Sequence, residues 1–92
     1  APLEIMALCA AALSAAGRLA EIGSRLAVSD AGCAAAILRG ALEAAALNVL
    51  VNTKTMTDRS AADHLNARCF ALLDQGRTDG ERIFCAVRDQ LV

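Results

Sequence analysis

The chain has 92 residues, is 57% hydrophobic and only 2% aromatic, and balances 9 Lys+Arg against 10 Asp+Glu for a net charge of −1. A chain of this length is a single domain, too apolar to be disordered. Without a cationic excess or aromatic rings to stack on bases, it is not a nucleic-acid binder. With 22 alanines, 13 leucines and one proline, helix formers dominate and strand formers are scarce. The composition predicts an all-α protein: three to four helices in an antiparallel bundle around a long buried central helix.

The first helix is expected from Pro2 to Glu21. Pro2 suits a first turn, where its missing N–H is not needed. Met6, Cys9, Leu13, Ala16 and Ala20 recur at helical spacing and define the inward face. Gly23 is expected to end the helix, and residues 23–30 to form a connection in which Ser29 and Asp30 are good N-cap types. Helix two then runs from Ala31 to Val51. Its only charges, Arg39 and Glu43, are four apart and share a face. A helix apolar nearly all round is buried on most sides, which makes it the central one. Residues 32–51 approach membrane-spanning length. Central charges cost about 2.5–3.5 kcal/mol each on insertion scales, so the run is expected in a protein core and not in a membrane.

Residues 52–57 are β-branched and polar, a plausible turn. Thr57 or Asp58 caps helix three, which continues to Gln75 with Ala62, Leu65, Cys69, Leu72 and Leu73 as its apolar stripe. Gly76 is a natural residue to follow a helix end. Thr78-x-x-Glu81 is a capping box opening a last helix to Leu91, with Phe84, Val87 and Leu91 inward. The alternative is one long helix from 58 to 91, bent near Gly76 and Gly80.

Such a short domain buries only about 60% of its unfolded surface, and small scaffolds need a staple or a partner. The cysteines at 9, 33, 69 and 85 show no zinc-ligand or C-x-x-C spacing. They are expected as free thiols, mostly buried, in a reducing compartment, which places the protein in the cytoplasm. No cationic region followed by an apolar run marks a signal peptide. A partner is the expected source of missing core.

No catalytic triad pattern, P-loop, G-x-G-x-x-G or H-E-x-x-H is present. His64, beside Asp63, has no second ligand at helical spacing, so a surface role and no metal are expected. Two clusters stand out. In Ser29-Asp30-Ala31-Gly32, Asp30 either caps a buried helix or, with small neighbours, lets a ligand approach a helix N-terminus. In the segment Leu47 to Lys54, Asn48 is an amide within an apolar helix, where burial demands partners. Asn52, four residues on, points the same way. This pair either fixes helix register or meets a ligand, with Lys54 at the helix end.

In order and separation these segments resemble the formiminotetrahydrofolate cyclodeaminase / methenyltetrahydrofolate cyclohydrolase family. The matching stretches are Ala1-Pro2-Leu3-Glu4-Ile5, then Val28 to Gly32 with Ala34-Ala35-Ala36, then Ala44 to Asn52 with Met56-Thr57-Asp58. Thr53 departs from the family, which prefers Leu there, and residues 76–80 interrupt what resembles one long final helix. The likeness spans nearly the whole chain and corresponds to the C-terminal half of the family's domain. It implies one-carbon chemistry on a tetrahydrofolate derivative as substrate, without metal or further cofactor. By position, Asp30 is the implied acid/base, Ser29, Asn48 and Asn52 hold the substrate or orient Asp30, and Lys54 meets a folate carboxylate. A homo-oligomer, or a partner supplying the N-terminal half, is implied as well. Asp30 and Asn48 lie 18 residues apart, about 27 Å along one straight helix, so the isolated chain is expected to be inactive. The competing reading is a helical association module or split subunit without activity.

Overall fold

A computed structural model describes residues 1–22 and 25–92, and the side chains of all of these except residues 21, 22 and 25–27. The expected end of helix one at Gly23 lies outside the described residues. The described residues form three helices: α1 (Pro2–Ile22), α2 (Arg25–Lys54) and α3 (Arg59–Leu91). All three pack against one another in an elongated body of 50 × 18 × 16 Å. The chain runs up, down and up. Leu13 and Gly17 of α1 meet Gly76 and Ile83 of α3 in the same order, so α1 and α3 are parallel. Gly32 meets Val87 while Leu42 meets Gly76, so α2 is antiparallel to α3.

The inward face of α1 is the one that its periodicity predicts. Met6 and Leu13 are completely buried, and Cys9, Ala16 and Ala20 nearly so. Leu42, Cys69 and Ile83 fill the middle of the bundle, and the rest of the core is largely alanine. Alanine adds little volume, so the helices approach closely and each buried residue removes modest apolar area.

Two boundaries differ from the expectation, for one reason. Helix two starts at Arg25, so residues 25–30 are helical and do not form a connection. Arg, Leu and Ala at 25–27 are strong helix formers, and Val28 is buried. Burying a Val contributes about 1.5–3 kcal/mol, more than the ~1 kcal/mol of an N-cap, so α2 extends past Ser29. The same competition settles the C-terminal segment as one helix, α3. Gly76 does not end a helix, and Thr78 and Glu81 form no capping box, because both lie inside α3. Gly76 and Gly80 are both buried, under Leu42 and Arg39 of α2. Their missing side chains let α2 and α3 touch, which outweighs the ~1 kcal/mol each costs as an interior helix glycine. No glycine among the described residues has a positive φ.

Asp58 is the N-cap of α3, in extended conformation, and its carboxylate accepts from Ala61 N at 3.0 Å. Arg59 closes the α2–α3 turn, its Nη1 donating to the carbonyls of Thr53 at 2.8 Å and Met56 at 3.0 Å. Thr53, the residue that departs from the family pattern, is buried, and its hydroxyl donates to Asn66 Oδ1 of α3 at 2.6 Å. The hydroxyl is thereby satisfied where an aliphatic side chain would only pack.

Arg39 and Glu43 do not pair with each other. Arg39 Nη1 meets Glu81 Oε2 at 3.0 Å, and Arg77 Nε meets Glu43 Oε2 at 2.6 Å. Both bridges staple α2 to α3, and both are solvent-exposed enough to contribute little each. By length and composition alone, α1 (Pro2–Ala20) and α2 (Val28–Lys54) could each cross a membrane. Core helices share that property, and the charges central to α2 are here paired to a third helix.

Candidate functional site

All five residues singled out for chemistry lie on α2 and fall into two groups at its opposite ends. Ser29 and Asp30 sit one turn inside the N-terminal end. Asn48, Asn52 and Lys54 occupy the last two turns.

Ser29 is half-buried and lines a groove of about 330 Å³ between the start of α2 and the end of α3. That volume is at the lower bound for small-molecule sites. Gly32 and Cys33 continue the α2 wall, and Phe84, Arg88 and Leu91 form the opposite one. Phe84 and Leu91, expected inward, are about half exposed. Of that predicted trio only Val87 is buried, packed on Gly32. Arg88 pairs with Asp89, whose carboxylate raises the Arg88 pKa. The groove is almost wholly apolar, with Ser29 and Arg88 as its polar groups. From sequence, Phe84 is expected in the core and Arg88 has no assigned role, and neither is marked for a site; that Phe84 is one of only two aromatic residues in the chain is the signal that could have marked the groove.

Asp30 is exposed and, being inside α2, does not cap it. Its carboxylate therefore has no role in starting the helix. Asn48 is exposed too, so it is not a buried amide fixing register. Asn52 is exposed and borders a small cavity of about 130 Å³ with Pro2, Met56 and Leu65. Lys54 is exposed at the C-terminal end of α2, where a cation is favourable. His64 is on the surface, as expected. Among the described residues no three His, Cys, Asp or Glu side chains gather as metal ligands.

The two groups do not meet within one chain, yet they share a face. At 100° per residue, Asp30 and Asn48 point in the same direction, and Asn52 lies within 40° of them. Between them run Ala34, Ile37, Gly40, Ala41, Ala44, Leu47 and Val51, every one exposed. Ile37, Leu47 and Val51 are 66–72% exposed, a large fraction for aliphatic side chains. The side of α2 facing α1 and α3 is buried through Val28, Ala31, Ala35, Leu42, Ala45, Ala46 and Val49. A three-helix bundle covers no more than that, so the second apolar face of α2 stays open in the single chain.

Comparison with known proteins gives these positions a context. The family model described as formiminotransferase-cyclodeaminase matches residues 1–71, which include all five. A methenyltetrahydrofolate cyclohydrolase from Methylorubrum extorquens is 33% identical over 90 residues, an alignment covering 98% of this chain. The chain spans 43% of that relative's length. No solved structure matches significantly.

Proposed function

The chain belongs to the formiminotransferase-cyclodeaminase family, and on that footing we propose that it forms one wall of a tetrahydrofolate one-carbon enzyme. The reaction is hydrolytic opening of methenyltetrahydrofolate, the activity in the relative's name, or the related closure of formiminotetrahydrofolate with loss of ammonia. Each passes through a tetrahedral carbon between two folate nitrogens and needs a proton donor and acceptor beside that carbon. Asp30 is the acid/base in this reading. It is exposed, titratable and free of a capping role. Ser29, Asn48 and Asn52 hold the substrate by hydrogen bonds, and Lys54 meets its anionic tail. No metal or further cofactor enters the scheme, and the compartment is the cytoplasm.

The observation that carries the reading is the family match across residues 1–71, which spans both polar groups. Their separation along α2 supports the second half of the proposal, that one copy of this chain is catalytically silent. Misplacing reacting groups by about 1 Å can cost 10²-fold, and here about 27 Å separates Asp30 from Asn48. The test measures binding and loss of 5,10-methenyltetrahydrofolate by absorbance, with the chain alone and with the remainder of the relative's domain supplied. Binding in both and turnover only in the second is expected. Failure to bind in either would overturn the folate reading. Full turnover by the chain alone would overturn its incompleteness.

A further inference from the structure

Asp30 adjoins a concave surface. Ser29 and Cys33, one residue before it and three after, both line the groove of about 330 Å³ between the start of α2 and the end of α3. The α2 wall is low, because Ser29, Gly32, Cys33 and Ala36 share one side of the helix and all are small. Val87 closes the floor, so near Gly32 that an added Cβ there would lie 2.9 Å from Val87 Cγ1. Phe84 of α3 flanks the gap, half exposed, with no large α2 side chain lining the opposite wall. Arg88 supplies the charge at its edge. Asp89 engages the guanidinium through Nε and Nη2. Of its five N–H donors, the two on Nη1 have no acceptor among the described residues.

We infer that this groove holds the aminobenzoyl ring of the substrate against Phe84, with a glutamate carboxylate on Arg88. The assignment rests on the folate reading above, which puts the reacting carbon at Asp30. One of the two nitrogens flanking that carbon carries the benzoyl ring directly, and the anionic glutamate follows one amide further on. The ring therefore lies next to Asp30, and the groove is the cavity found there. Each part of the substrate meets its complement: a flat apolar gap and an aromatic face for the ring, a guanidinium for the carboxylate. Lys54, to which the reading above gives the tail, lies 24 residues from Asp30, about 36 Å along α2. A tail one amide beyond the ring does not span that distance within one chain. The family match ends at residue 71, so it assigns nothing to Phe84 or Arg88.

The probes are 4-aminobenzoyl-L-glutamate and 4-aminobenzamide, which keeps the ring and lacks the carboxylates. Alkylation of Cys33, an exposed thiol on the groove wall, reports occupancy, with glutathione in the same solution as reference and peptide mass spectrometry as readout. The glutamate probe should slow Cys33 alkylation relative to glutathione, and 4-aminobenzamide should do so more weakly. Arg88→Gln should weaken the glutamate probe about two- to fivefold, the span of an exposed ion pair, and leave 4-aminobenzamide unchanged. Phe84→Leu should weaken both, about two- to tenfold, while circular dichroism stays helical. Equal loss of both probes in Arg88→Gln, or loss in Lys54→Gln in its place, would overturn the assignment. Methenyltetrahydrofolate that binds by absorbance and leaves Cys33 unprotected would overturn the groove while the folate reading stands. No binding of methenyltetrahydrofolate would overturn the folate reading and, with it, the identity of the ring.

Discussion

Adding one methyl group at Gly76 should destabilise the bundle, although the same change at Gly40 should help. A Cβ at Gly76 would run into Leu42 Cδ2, with Leu13 Cδ1 3.5 Å away. Both leucines are completely buried, so neither can swing aside into solvent. Replacing an interior helix glycine by alanine gains about 1 kcal/mol. Overpacking a closed core costs about 1–3 kcal/mol. The net expectation for Gly76→Ala is a loss of about 0–2 kcal/mol. At Gly40 the added methyl touches nothing in the chain, and only the gain of about 1 kcal/mol remains. The two variants should thus differ by about 1–3 kcal/mol for one chemical change. Urea titration at fixed protein concentration measures this. A second comparison fixes the cause. Leu42→Ala alone should cost about 2–5 kcal/mol, and adding Gly76→Ala to it should then stabilise, because the methyl enters the space vacated. If Gly76→Ala is as stable as Gly40→Ala, or if its effect keeps its sign when Leu42 is truncated, the α2–α3 contact at Gly76 is not the closest approach described here.

Asp58→Ala removes the N-cap of α3 and should lower stability by about 1 kcal/mol, read from the urea midpoint; Asp58→Asn should retain it. Burial pushes the Cys69 thiol pKa up, and thiolate is the reactive form. Mass spectrometry after brief alkylation at neutral pH should therefore find exposed Cys33 modified and Cys69 intact; equal labelling would contradict the packing around Cys69. Asp30→Asn should change stability by no more than about 0.5 kcal/mol, as for an ordinary surface position. In a complete enzyme it should lower turnover about 10²–10⁴-fold, the usual span for general acid–base catalysis.

The inward faces of α1 and α3 are legible from the spacing of their apolar residues. In α3 a polar face supplies the contrast that marks the stripe around Ala62 and Cys69. In α1, Met6, Cys9 and Leu13 lie at helical spacing and are buried as expected, while Ile5, Leu8 and Leu19 are exposed on the other side. Turn and cap signals were less decisive because they are local and small. Asp58 is a true cap: Thr53 and Asn66 join the helices beside it, and no apolar residue at 54 or 55 draws the chain onward. Asp30 has the same chemistry and is not a cap, because buried Val28 lies before it. Gly76 and Gly80 look like breaks in one dimension. Only the position of Leu42 and Arg39 on another helix reveals them as places of contact.

The misplacement of Asn48 has a different origin. Periodicity locates a buried face by contrast with a polar one, and α2 lacks that contrast over most of its length. Val49 is buried, Leu47 and Val51 are exposed, and nothing in their chemistry separates them. An amide flanked by such residues reads as interior whichever way it points. The ambiguity is itself informative. A chain that covers α2 on one side only has no stabilising use for Ile37, Leu47 and Val51 on the other, and large exposed apolar patches mark interaction surfaces. Asn48 and Asn52 lie on that open surface. Both amides face solvent in this chain, so the expectation that burial of Asn48 demands hydrogen-bond partners fails here.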